Sequence, residues 1–242
     1  MMTLEGSRIL LVGGTSGIGL AVAQAVVERG ATPVVAARDR GSVERALGAL
    51  PDRAEGATVD LNDGDSVGSL VKQAKTIDHL VYTAGEPLRI TMLPDLTADV
   101  VLRFWQTRYF GALAVVRALS TAGAIHTTGS IVLTGGIAAH RPGAGWALSA
   151  SVCGAMDSLG RELAVELAPV RVNVVAPGLT RSPLWDSMPA EDRKAMYDGL
   201  AASLPVGRVA EPADVALAYV YAMEQPMATG TSITVDGGAV LV

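Results

Sequence analysis

Between Arg8 and Gly19 the chain reads RILLVGGTSGIG: a short apolar run, then three spaced glycines, Gly13, Gly17 and Gly19, then an apolar helical pattern. That layout reads as a strand turning tightly into a helix whose first amides face a phosphate, with Thr15, Ser16 and Ile18 inside the loop. Each glycine serves a distinct purpose. One lets the chain turn, one lets backbone approach a pyrophosphate, and one lets the helix pack on its strand. A purely structural strand-to-helix turn competes with this reading, so the rest of the chain has to decide.

The length of 242 residues fits one domain, because sheet-plus-helix architectures of this size share a single core. Half of the residues are hydrophobic and 18% are charged, enough apolar material for a large core and for a subunit interface. Net charge is −5 and no basic tract occurs, which argues against nucleic acid and against an anionic membrane surface. The single cysteine, Cys153, excludes an internal disulfide and suits a reducing cytoplasm. The first residues, MMTLEGSR, carry an acid and lack the apolar core of a signal peptide. No apolar run approaches the roughly 20 residues of a membrane span.

Strand and helix signals alternate along the whole chain. Strands are expected at 33–37, 57–61, 79–83, 131–133, 172–176 and 232–235, with helices at 63–74, 97–121, 146–167 and 212–223 between them. Alternation implies right-handed crossovers and a parallel, doubly wound sheet covered on both faces, an α/β fold of Rossmann type spanning 1–242. The stretch from Leu179 to Val206 is polar, carries several prolines and reads as a movable lid. Arg38 closes the second strand, where a side chain meets the adenosine ribose. An acid there binds the 2′-hydroxyl, whereas the planar fork of an arginine pairs with a 2′-phosphate, so NADP(H) is favoured over NAD(H).

Taken together, these features resemble the short-chain dehydrogenase/reductase family over essentially the whole chain. Gly13, Gly17 and Gly19 match its glycine motif, with Val12 where a threonine is common; Asp60, followed by Leu61, matches the acid near the adenine. Val81–Gly85 (VYTAG) is similar to the family's NNAG strand end, with Tyr82 and Thr83 in place of both asparagines and Ala84-Gly85 retained. Arg171–Gly178 (RVNVVAPG) resembles the sixth strand and its Pro177-Gly178 ending; Ser182 stands where a threonine usually holds the carboxamide, and Val235–Gly238 matches the closing motif. The resemblance implies a nicotinamide cofactor, a small-molecule substrate and a homodimer or homotetramer built on the two long helices and the C-terminal strand.

The family's four catalytic identities have no counterpart. LSAS at 148–151 invites alignment with the common YSASK, which puts Leu148 and Val152 at the tyrosine and lysine. The helix downstream instead favours a shift of one, with Ser149 at the tyrosine, Cys153 at the lysine and Gly136 at the serine; Gly111 fixes the register that puts Arg108 at the asparagine. A serine hydroxyl is a far weaker acid than a tyrosine whose pKa of about 10 is lowered by a lysine, and losing a positioned acid costs about 10²–10⁴ in rate. Replacements weighed on chemistry alone are Arg108 as a fixed cation, Ser149 as an orienting hydroxyl and His140 as a proton donor. Cys153 lacks a paired histidine in sequence and reads as an inert thiol. Thr134 and Tyr109 offer hydroxyls that pack; Trp146, Trp185 and Met188 line either a substrate pocket or a core; His79 and His126 read as structural, and no cluster has metal-ligand spacing. Three activities stay open: an oxidoreductase for an activated carbonyl, enone or imine, a catalytically silent nucleotide-binding subunit or sensor, and a non-redox lyase or isomerase.

Overall fold

In the first strand, β1 (Arg8–Val12), Leu10 and Val12 join one apolar cluster while Ile9 and Leu11 join another, and all four are buried. A strand covered on both faces needs a continuous apolar run rather than alternation, and LLV supplies it. The computed structural model describes residues 3–88 and 90–242. Six further strands complete the sheet: β2 (Thr32–Ala37), β3 (Glu55–Thr58), β4 (Ile77–Tyr82), β5 (Ile125–Thr134), β6 (Arg171–Pro177) and β7 (Ser232–Val235). All pair in parallel in the order β3-β2-β1-β4-β5-β6-β7.

Among the described residues the α-helices are α1 (Gly17–Val27), α2 (Arg40–Gly48), α3 (Gly64–Ala74), α4 (Ala98–Trp105), α5 (Ala112–Thr121), α6 (Ala147–Glu166), α7 (Ala190–Ser203) and α8 (Pro212–Glu224). Residues of α3, α5 and α6, such as Leu70, Leu119 and Met156, bury one face. Val26 of α1, Val43 of α2 and Tyr219 of α8 bury the other. This is the single-domain Rossmann-type architecture that the alternation predicts. Winding reverses where β1 lies between β2 and β4, so a crevice opens at the carboxyl ends of these strands, where α/β sheets bind ligands.

Several boundaries differ from the sequence expectation. The third strand covers 55–58 rather than 57–61, because β2 ends at Ala37: Val59 N still donates to Ala37 O, and the chain beyond it runs along the crevice. The fifth begins at Ile125, six residues early, with a register shift against β4 between Ile77 and His79. The single helix expected over 97–121 is two helices joined by a π-turn, Gln106–Gly111. Two helices lie outside the expected set: α2, started by Asp39 accepting from Ser42 N and packed through Val43, Ala46 and Leu47, and α7, inside the stretch read as a lid.

Candidate active site

The crevice is a cleft of about 900 Å³ running from Arg38 and Asp60 at one end to Arg108, Trp146 and Trp185 at the other. Its floor is the glycine turn. At Gly13 (φ 89°) a Cβ would lie 2.5 Å from Ala84 N, so β1 and β4 meet there with no room for a side chain. At Gly19 a Cβ would lie 2.2 Å from Gly13 O, which puts the start of α1 directly on the turn. Gly17 (φ 51°) has nothing nearer to its would-be Cβ than 3.4 Å, and it opens onto the cleft. No side chain caps α1 at Ser16, so its first amides stay available to an anion. These are the features a pyrophosphate cradle requires, and the residues present fit a dinucleotide.

At the adenosine end Arg38 is exposed and lines the cleft. The neighbouring acid, Asp39, is committed to α2: one oxygen accepts from Ser42 N and Ser42 Oγ, both at 2.7 Å, and these bonds hold its carboxyl below the ordinary value. Asp60 accepts from Asn62 N at 2.9 Å and lines the wall with Leu61. Ala84, Gly85, Pro177, Gly178 and Ser182 line the middle, together with Thr15, Ser16 and Ile18. Gly178 is required there, because a Cβ would come within 2.8 Å of Asp236 Cα in the closing motif.

The inner end is built around Arg108. Its Nη2 donates to Glu86 O, its Cζ sits 4.6 Å from the Phe104 ring centroid, and a Cβ on Gly85 would strike Nη1 at 2.2 Å. Burial pulls its pKa down, against the charge of Glu86. Thr107 Oγ1 donates to Glu86 Oε1, while Glu86 Oε2 and Arg108 Nε are buried and unpaired among the described residues. Ser149 and Cys153 line the same cleft one helical turn apart; Leu148 does not. Burial pushes the Cys153 thiol up to about 11, with Arg108 pulling the other way, so it is neutral at pH 7. Gly136 lies against it, its would-be Cβ 3.0 Å from Cys153 Sγ.

Other expected residues are not brought in. His140 is absent from the cleft lining because its Nε2 turns to the buried Asp157, 3.2 Å from Oδ2; Asp157 also accepts from Ser232 Oγ at 2.5 Å. Thr134 lines the cleft with its hydroxyl engaged, 2.6 Å from both Tyr82 O and Tyr219 Oη. Tyr109 stacks on Trp105 at 5.3 Å instead of facing the cleft. Trp146 and Trp185 line it edge to face at 6.2 Å, and Met188 packs behind them. Glu86 and Thr107 join the site without a clear sequence signal; the one trace of Glu86 is a lone charge directly after the small residues Ala84-Gly85. Among the described residues no helix is long and apolar enough to cross a membrane, and no group of three or more His, Cys, Asp and Glu is placed to hold a metal ion.

A glycine-floored cleft at the switch point of a parallel sheet defines a dinucleotide-binding α/β protein. Comparison with known proteins narrows the class. A family model described as enoyl-(acyl carrier protein) reductase matches residues 12–240. The short-chain dehydrogenase/reductase malC of Malbranchea aurantiaca is 34% identical, over 98% of this chain and 96% of its own. The solved MalC reductase/Diels-Alderase from Malbranchea aurantiaca superposes with a TM-score of 0.91 over 99% of this chain and 98% of its own, at 33% identity. A small-chain dehydrogenase in complex with NADPH gives 0.83 at 31% identity, over 98% of this chain and all of its own. An NADPH-bound short chain oxidoreductase from Pseudomonas aeruginosa PAO1, described as containing an atypical catalytic center, gives 0.89 at 27% identity over 98% of each chain. The chain belongs to the short-chain dehydrogenase/reductase family and is a protein of oxidoreductase type.

Proposed function

We propose that this protein is an NADP(H)-binding oxidoreductase with a rearranged active site, reducing a small activated carbonyl, enone or imine. The observation that carries the reading is Arg108, a half-buried side chain with its Nε fully buried at the apolar end of the dinucleotide cleft, where Ser149, Gly136 and Cys153 also stand. The nicotinamide, when bound, supplies hydride. Arg108 offers a fixed positive charge to the oxygen or nitrogen that gains electron density, and a low-dielectric wall such as Phe104 strengthens that effect. Ser149 orients the polar head of the substrate. Cys153, neutral and packed on Gly136, shapes the wall. A conjugated or activated substrate suits such a site, since hydride addition to it leans less on a proton donor. The NADPH-bound relative with an atypical catalytic center supports the same view. Cys153, the single thiol, supports a reducing cytoplasmic setting.

Calorimetric titration tests the cofactor half: NADPH binds tighter than NADH, and Arg38→Ala weakens NADPH about 10–100-fold while leaving NADH nearly unchanged, the worth of a charge-assisted contact. No binding of NADPH or NADP⁺ would overturn the proposal. Oxidation of NADPH by a carbonyl, enone and imine panel tests the chemical half, with Arg108→Ala lowering kcat about 10²–10³-fold. The relative described as a reductase/Diels-Alderase favours a second reading, a non-redox reaction shaped by the same cleft. Product formed with no change in nicotinamide absorbance would establish that reading over the first.

A further inference from the structure

Two departures from the family pattern, Tyr82 at the end of β4 and Arg108 inside the π-turn, are linked through the backbone of that turn. Tyr82 is 1% exposed, and a phenol hydroxyl buried that deeply must find a partner. It donates to Thr107 O at 2.5 Å. Its approach depends on Gly111, where a Cβ would lie 2.6 Å from Tyr82 Oη. A π-turn carries one residue more than the regular ladder, which rotates the helix before it by about 100° against the helix after it. Here the added residue brings Thr107 and Arg108 round together, so that Thr107 Oγ1 reaches the Glu86 carboxylate and Arg108 reaches Glu86 O.

We infer that Tyr82 is a positioning residue: its hydroxyl, wedged against Thr107 O beside Gly111, holds the π-turn that aims Arg108 into the cleft. This rests on the reading above that Arg108 acts on bound ligand. The geometry also accounts for the first substituted position of the VYTAG strand end, which the cofactor cradle leaves unexplained. An asparagine is too short to bridge from the strand to the helix carbonyl. A tyrosine reaches it and fills the core on the way.

The test compares Tyr82→Phe, Gly111→Ala, Arg108→Ala and the double variants with the parent chain. In Tyr82→Phe the ring stays and the bond to Thr107 O goes, so amide exchange over 106–112 rises about five- to tenfold, the equivalent of one hydrogen bond. Modification of Arg108 by phenylglyoxal, read by peptide mass spectrometry, rises by a similar factor. NADPH affinity stays within about twofold, because the cradle lies elsewhere in the cleft. The kcat loss of Tyr82→Phe on the best substrate of the panel disappears in the Arg108→Ala background, which a general loss of stability would not produce. Gly111→Ala displaces the hydroxyl from the other side and raises Arg108 labelling too; deleting the hydroxyl in the double variant makes room for the methyl and restores part of the lost stability. Exchange and labelling at parental values in Tyr82→Phe would overturn the inference, and so would parental labelling in Gly111→Ala should the phenylalanine variant not fold. Arg108→Ala with unchanged turnover would count instead against the proposed function and leave the wedge standing.

Discussion

Gly136 and Cys153 show how one side chain constrains another. The thiol occupies the space that a side chain at 136 would need, its sulfur 3.0 Å from the would-be Cβ. Gly136→Ser alone is therefore expected to cost about 1–3 kcal/mol through overpacking, and Cys153→Ala to recover most of it, as read from urea midpoints of the four-member cycle. Full additivity of the two changes would show that the contact does not matter. His79 gives a pH prediction. Burial pulls it from 6.5 to about 4, and its Nδ1 lies 2.8 Å from Ser130 Oγ. The folded state thus holds the neutral ring, while the unfolded chain takes up a proton below pH 6.5. Stability from this group is complete above that pH and is lost as pH falls through about 4, a swing of about 3 kcal/mol. His79→Gln should flatten that part of the stability curve between pH 7 and 4, and an unchanged acid limb would assign the loss to other groups.

Elements differ in how openly the sequence declares them. The glycine turn is legible because its backbone demands are steric: Gly13 and Gly17 take positive φ, and Gly19 has no room for a Cβ. The strands are legible as apolar runs, since both faces of the sheet are covered. The π-turn is not, because the apolar period of Phe104, Trp105, Leu113 and Val116 carries across it, and the hydroxyl that bonds to it comes from a distant strand. For the same reason Glu86 stays hidden: its distinction arises only when Thr107 and Arg108 close on it. Helix α7 reads as part of a polar lid because its inward face is narrow, essentially Met196, Tyr197, Leu200 and Ala201. Those residues pack with Trp185 and Val209 in a cluster separate from the two that cover the sheet, and Arg181 stacks 4.4 Å above the Tyr197 ring. A segment held by its own small cluster opens at lower cost than the sheet does. Trp185→Ala is thus expected to make the chain cleavable within 186–203 by limited proteolysis while NADPH affinity falls only a fewfold. Global unfolding at the same protease dose would show that the segment is part of the main cooperative unit.

At the scale of the whole molecule, part of the exposed apolar surface lies where a subunit contact is expected. Leu102, Phe110 and Leu113 are exposed along the α4–π-turn–α5 segment, as are Leu217 and Tyr221 on α8 and Leu241 and Val242 beyond β7. The second group borders β7, the outer strand of the sheet, only four residues long. An outer strand flanked by exposed apolar side chains is an arrangement that a partner subunit can cover. The same border reaches the cleft, since Asp236 and Ala239 just beyond β7 line it and Gly178 packs on Asp236. Assembly at this edge would therefore stiffen the cleft wall as well as bury the patch. Sedimentation at micromolar concentration should give a dimer or tetramer. The pair Leu217→Glu and Tyr221→Glu, both on the outer face of α8, should lower the assembly state and weaken NADPH several-fold without unfolding the monomer. A parent chain that sediments as a monomer would rule out the assembly, and a dissociated variant with parental NADPH affinity would separate assembly from the cleft.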